Sequence, residues 1–512
     1  MTTTLYRNGR LYSPERPEAS ALLVQDAEII WLGPEAEVPD AGSTVDLGGA
    51  LVTPAFVDAH VHTTSTGLAL VGLDLGRATD LADCLRQVEN ACRDARGRVV
   101  LGHGWDETTW PENRPPTAAE LDRASYGGVV YLSRIDVHSA VVSSAMIQLA
   151  ADARGRPGWS ESGHMTRDAH HVVRHVARES ITPDQRRRYQ LAAMRHAASL
   201  GIGTFHELAG PDISSEEDLR ALQRLCRETP DLPDVLTYWG EIGAHGISRA
   251  KALGTLGAAG DLFADGAIGS HTAHLNAPYA DAPEACGFGY LTAAEVRDHV
   301  VGCTEAGLQA GFHAIGDAAL DTIAAGFTEA EQRIGADRLR AARHRLEHVE
   351  MVSPEAIAVL ARLGVVASVQ PAFDRLWGGE HGMYVERLGA DRGVRLNPFA
   401  AFEAAGVILA LGSDSPVTGL DPWGSVRAAV HHHTAGSGIG LAAAFAAHTV
   451  GGWRAAGFDD RGELRPGAAA TFAVWEPDTE VDGATGLPSM AEPGGVPACR
   501  QTVVRGRTIH ST

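Results

Sequence analysis

Between about residue 184 and residue 414 the chain repeats one pattern: apolar positions at helical spacing run up to a glycine, then a short, continuous apolar stretch ends in a polar residue. DQRRRYQLAAMRHAASL reaches Gly201 and continues as IGTFHE, and TAAEVRDHVVGCTEA reaches Gly307 and continues as LQAGFHAIGD. SPEAIAVLARL reaches Gly364 before VVASVQP, and NPFAAFEAA reaches Gly406 before VILALGSD. Glycine suits the left-handed position after a helix end, and Thr292 with Glu295 and Ser214 with Glu217 match the capping box at a helix start. Helices alternating with buried strands predict a parallel α/β sheet. A doubly wound sheet fits that alternation. A (β/α)8 barrel fits it too, and it also brings together the polar residues at successive strand ends, His206, Asp265, His313, His348, Gln370 and Asp414, because those ends converge on one mouth.

Both ends of the chain have a different texture, short β-rich runs punctuated by turns, with Asn8-Gly9 as a hairpin signal. This predicts one small sheet domain from residues 1–55 and 455–512, beside a barrel over 56–454. The helix and strand rhythm fails over about residues 72–182, which marks an inserted region.

Composition narrows the chemistry. With 43 Lys+Arg against 64 Asp+Glu the net charge is −21, so the chain lacks the concentrated positive field that nucleic acid or an anionic membrane surface requires. Its single lysine, Lys251, would have to carry any amine chemistry, since arginine stays protonated. The six cysteines form no CxxC pair, which fits a reducing compartment and leaves metal binding to histidine and carboxylate. No signal-like or membrane-spanning run is present in the sequence, so a cytoplasmic location is expected.

His60 and His62 lie at i and i+2 on a strand and point to one face, where both imidazoles can reach one ion. Taken singly, His313 or His348 reads equally well as a core histidine bonded to a carbonyl. Together with His60, His62 and Asp414, each closing an apolar run, they fit Zn²⁺ or another borderline divalent ion with a position open to water.

These segments resemble a known family. PAFVDAHVH, FHAIGD, RLEHVE, SVQP and GSDSPV, with GHGWDETTWPENRPPTAAELD, DVHSAVVSSAMI and FADGAIGSHTAHL, are similar to the amidohydrolase superfamily, specifically its YtcJ-like branch that includes N-substituted formamide deformylases. The resemblance spans almost the whole chain. It implies a distorted (β/α)8 TIM barrel with a β-sandwich built from both termini, a homodimer as a common assembly, and His60, His62, His313, His348 and Asp414 as metal ligands. One position departs from the family: where a carboxylated lysine usually bridges two metals, this sequence has Asp261 in GDLFADG, and Lys251 lies ten residues upstream. One ion is therefore the favoured expectation, with two ions bridged by Asp261 as the alternative.

The activity this implies is hydrolysis of a non-peptide carbon–nitrogen bond, amide or formamide-like, in a small molecule by a metal-bound hydroxide. Asp414 is expected to move the proton, and His348, where it is not a ligand, to stabilise the oxyanion. His103, Trp105, His138, Asp265, His271 and Gln370 are the candidates for contacting substrate, and Trp105, taken singly, reads more readily as closing the core of the inserted region. His206-Glu207 is a candidate for orienting a ligand, and His431, His432 and His433 are expected mostly at the surface. Two alternatives remain: deamination of an aminated ring, against which HAIGD lacks the glutamate that family deaminases favour, and a silent metal- or ligand-binding relative, which the missing lysine motivates.

Overall fold

The computed structural model describes residues 3–135, 139–491 and 494–512. The chain forms two compact units, one of residues 1–62 and 194–512 and one of residues 63–193.

In the first unit, eight strands run between helices: β1 (Phe56–Val61), β2 (Ile202–Ala209), β3 (Asp234–Trp239), β4 (Gly257–Ala258), β5 (Gln309–Ala314), β6 (Arg345–His348), β7 (Val366–Val369) and β8 (Leu409–Leu411). β1, β2 and β3 pair in parallel, as do β4 through β8 in order. Backbone bonds link the two groups at each side. Leu256 N, just before β4, donates to Thr237 O of β3, while Asp414 N donates to His60 O and His62 N to Ser415 O beside β1. The strands are buried along almost their whole length, as expected of parallel strands covered by helices.

Local sequence explains the helix ends. Thr292 and Glu295 form the reciprocal capping box, and Gly307, Gly364 and Gly406 close the preceding helices in the left-handed region. The start of the helix Glu216–Glu228 lies one residue from its expected place: Ser215, not Ser214, caps it by accepting from Asp218 N.

Strands from both ends of the chain pair with one another. Leu51–Pro54 lies antiparallel to Phe472–Trp475, which in turn pairs with Cys499–Val504. A second sheet joins Glu28–Gly33, Ala21–Gln25, Thr3–Arg7 and Ser43–Asp46. Asn8 takes the left-handed conformation, with φ 57°, but Asn8-Gly9 does not form the expected hairpin. It carries the chain from one sheet to the other, because Arg10–Leu11 pairs in parallel with Leu51–Pro54 instead of folding back on Thr3–Arg7.

The second unit is a mixed five-stranded sheet, His164–Thr166, Ser139–Val142, Val130–Arg134, Val100–Trp105 and Leu73–Asp74, with its own apolar cores.

Candidate metal centre

Six side chains converge past the carboxyl ends of the parallel strands. His60, His62, Asp261 and Asp414 place their ligand atoms within 4.8 Å of one another, and so do Asp261, His313 and His348. Asp261 belongs to both groups and divides its oxygens between them. Its Oδ2 lies 3.4 Å from His60 Nε2 and 3.0 Å from His62 Nε2, while Oδ1 lies 3.6 Å from His313 Nδ1 and 3.5 Å from His348 Nε2. Asp414 Oδ1 completes the first group at 3.3 Å from His60 and 3.2 Å from His62.

Backbone geometry aims these groups. Gly260, at φ +106°, turns the chain just after β4 while packed so closely on Leu208 that a Cβ would meet its Cδ1 at 2.7 Å; the next residue is Asp261. His348 and Asp414 themselves occupy the left-handed region at φ 71° and 54°, and the β-branched Val349 follows at 52°. Such conformations are costly for non-glycine residues and persist where surrounding bonds hold them. Here Val349 N donates to Ala314 O, and Asp414 N to His60 O.

The hydrogen bonds behind the imidazoles determine what faces inward. His60 Nδ1 lies 3.0 Å from Glu347 Oε2, His313 Nε2 lies 3.1 Å from Gly266 O, and His348 Nδ1 lies 2.8 Å from Gln370 Oε1. A carboxylate or carbonyl oxygen only accepts, so each outer nitrogen carries a proton, and a ring without a second proton turns a lone pair toward the carboxylates. His60 Nε2 and Asp261 Oδ1 are buried without a hydrogen-bond partner. Lone pairs facing carboxylate oxygens repel unless a positive charge lies between them. Burial opposes charge on His60 and His62, yet Asp261 and Asp414 outweigh it, raising His60 well above the ordinary imidazole range and His62 to about 9. Burial also opposes an ionised Asp261, but His60, then His313 and His348, hold its carboxyl well below the usual range. The donor set, four imidazoles and two carboxylates with no thiolate, fits borderline divalent ions such as zinc.

The other residues singled out from the sequence occupy varied places. Gln370 is buried against His348, with its Nε2 unpartnered. Asp265 accepts from the backbone N–H groups of His274, Ile315 and Gly316, and one of its oxygens lies 3.9 Å from His313. His271 bonds to Asp281 at 2.9 Å. His206 accepts from Arg345 through Nδ1 at 2.8 Å, and burial followed by that cation depresses its pKa. His103 and Trp105 belong to the second unit, where His103 Nε2 bonds to Ala69 O, and Trp105 is fully buried in an apolar core with its indole N–H on Leu132 O. His138 lies outside the described residues. Lys251 is exposed in the last turn of the helix Gly243–Leu253. The three consecutive histidines follow the end of a helix at Val430; His431 and His433 are exposed, but the His432 imidazole is buried beside Asp374, contrary to expectation.

Three residues of the centre's surroundings went unnoticed in the sequence. Asp58 accepts from His60 N and Ser413 N, tying the start of the centre to its end, and Arg345 and Glu347 lie behind His60. The available signal was RHRLEH, where Arg345 and Glu347 fall at i and i+2 and so share one face of a buried strand.

Histidines and aspartates gathered at the carboxyl ends of a strand scaffold are what the sequence resemblance implies, and the chain belongs to the amidohydrolase family: the family model matches residues 43–510. Among similar proteins are Protein LONG AFTER FAR-RED 3 of Arabidopsis thaliana, 28% identical over 92% of this chain and 86% of its own, and the putative amidohydrolase YtcJ of Bacillus subtilis (strain 168), 25% identical over 83% of each. N-substituted formamide deformylase of Arthrobacter pascens is 24% identical over 91% of this chain and 92% of its own. Among solved structures, an uncharacterized metal-dependent hydrolase from Pyrococcus horikoshii OT3 superposes with a TM-score of 0.80 at 26% identity, covering 93% of this chain and 98% of that one.

Proposed function

We propose that the protein hydrolyses a non-peptide carbon–nitrogen bond, amide or formamide-like, in a small molecule, at a centre whose residues would hold two divalent ions, zinc being the natural choice, with Asp261 offering one oxygen to each histidine pair. The observation that carries this reading is the division of the Asp261 oxygens, Oδ2 toward His60 and His62 and Oδ1 toward His313 and His348. It favours two ions over the single ion expected from the missing lysine, because a carboxylate whose oxygens serve different histidine pairs makes the longer side chain unnecessary. The formamide-like substrate class is supported by the similarity to the deformylase over nearly the full length of both chains.

On this reading His60, His62 and Asp414 would hold one ion, and His313 and His348 the other. When bound, such ions lower the pKa of water from about 15.7 to near 7 and polarise a carbonyl as Lewis acids. Asp414 lies between His60 and His62, where it accepts the proton of the attacking water and returns it to the leaving nitrogen. Glu347, Gly266 O and Gln370 hold three of the rings in the tautomer that leaves the inner nitrogen free. Asp265 fixes the turn after β5 through the amides of Ile315 and Gly316 and so steadies His313. The frame for these groups is, on the same proposal, a closed and distorted (β/α)8 barrel with a β-sandwich from 1–55 and 455–512. The unpaired cysteines support a cytoplasmic setting.

Metal analysis of purified protein tests the reading together with hydrolysis of a panel of formamides, acyl amines and cyclic ureas, with ammonia release from aminated rings as the control for deamination. About two ions per chain and turnover of a panel member are expected, with activity lost on chelation and regained on adding the ion. Asp414→Asn is expected to lower kcat/KM by about 10²–10⁴-fold. Metal-free active protein, or metal-loaded protein that turns over nothing on the panel, would overturn it.

A further inference from the structure

Behind His60, Glu347 is one half of a fully buried ion pair whose other half, Arg345, takes no part in the steps above. Arg345 and Glu347 are both completely inaccessible. The Arg345 guanidinium donates to both Glu347 oxygens, to His206 Nδ1 at 2.8 Å, to Ala59 O at 2.7 Å and to Ser368 Oγ at 3.1 Å, and it lies 4.7 Å from the Tyr238 ring centroid. Those partners come from β1, β2, β3, β6 and β7, so the guanidinium is fixed from five strands at once. Ion pairs are a poor way to stabilise an interior, because removing two charges from water costs much of what their attraction returns, and apolar residues of the same volume often serve as well. Stability alone therefore does not account for this pair. Its geometry does: with Arg345 anchored, Glu347 Oε2 is left facing His60 Nδ1 at 3.0 Å.

We propose that Glu347, clamped by Arg345, is the positioning residue for His60, and that it makes the His60, His62 and Asp414 half of the centre the tighter ion site. The inference rests on the reading of the centre as a two-ion site. The other half has weaker backing. His348 is held by the neutral Gln370 amide and His313 by a backbone carbonyl. An ionised acceptor both fixes the ring and makes the imidazole a stronger ligand than a neutral acceptor does. The first half also has the Asp414 carboxylate, which every variant below leaves in place, so that the acceptor behind His60 is what the comparison changes.

The test uses the full-length protein freed of metal and titrated with Co²⁺ against a competing chelator, with the visible spectrum reporting each ion bound. Two double variants, Arg345→Met/Glu347→Gln and Arg345→Met/Glu347→Leu, both lack the ion pair, so they share any structural consequence of losing it. They differ in whether an acceptor remains for His60 Nδ1. The leucine form is expected to bind the first Co²⁺ about 10–100-fold more weakly than the glutamine form, with an altered first-step spectrum and an unchanged second step. Equal affinities in the two forms, or a loss confined to the second step, would overturn the proposal. Should the double variants not fold, the near-isosteric Glu347→Gln decides: about tenfold weaker binding at the first step is expected, and an unchanged first step refutes the assignment. Wild-type protein that binds no Co²⁺ would remove the two-ion reading itself, a result visible before any variant is compared.

Discussion

His344 shows how a single buried residue sets a limit on the conditions the protein tolerates. Its Nδ1 accepts the Ala310 N–H at 2.8 Å and its Nε2 lies 2.9 Å from Thr304 Oγ1, so the ring's second proton has no place on Nδ1, and burial lowers its pKa to about 3. In the unfolded chain the same group titrates near 6.5. Above about 6.5 both states are neutral and nothing is lost; as pH falls toward 3 the unfolded state takes up a proton that the native state refuses, and stability drops by up to about 1.4 kcal/mol per pH unit. Thermal denaturation from about pH 7 to 4 should show a steep acid limb that is shallower in His344→Gln. At the candidate metal centre, Asp261→Asn keeps the shape of the side chain but removes its charge and one acceptor oxygen; the expected result is fewer ions per chain by elemental analysis. Sequence made the candidate ligands legible as a group, because His60, His62, His313, His348 and Asp414 all end apolar runs. It hid Arg345 and Glu347, since charged residues inside a buried strand contradict the pattern by which such strands are recognised. It left Trp105 two readings, substrate contact or core packing, and the structure shows its indole closing an apolar core.

At the scale of elements, the rules of helix ends proved readable to within a residue. Ser214 and Ser215 both precede the helix Glu216–Glu228, and only the bond from Asp218 N to Ser215 Oγ distinguishes them. Ser215→Ala should therefore cost about 1 kcal/mol in urea denaturation and Ser214→Ala much less. Asn8-Gly9 failed as a hairpin signal for a physical reason: left-handed backbone reverses or redirects a chain equally well, and which occurs depends on the strand waiting to pair, here Leu51–Pro54. The same limit applies to His431, His432 and His433, whose helix ends at Val430 and whose exposure follows from the tertiary packing of His432 beside Asp374.

Within the unit of residues 1–62 and 194–512, the two ends of the chain are joined by aromatic packing as well as by strand pairing. Trp475 donates its indole N–H to Thr53 Oγ1 at 2.9 Å and packs edge-on against Phe56 at the start of β1 and against Trp423. Trp475→Ala should lower stability by about 3–5 kcal/mol, measurable by chemical denaturation, although the residue is far along the chain from the strand it supports. That both ends share a sheet was legible from their common texture; which strands pair was not, because pairing depends on contacts more than 400 residues apart, such as Trp475 with Leu51. The Asp261 carboxylate has a consequence at the scale of the molecule in its surroundings. A carboxylated lysine must be made after translation by capturing carbon dioxide, and it is lost when the amine is protonated or the gas is scarce. Asp261 is encoded in the gene, so assembly of this centre should not depend on dissolved bicarbonate, and ion-free protein refilled in degassed buffer should recover as fast and as fully as protein refilled in carbonate.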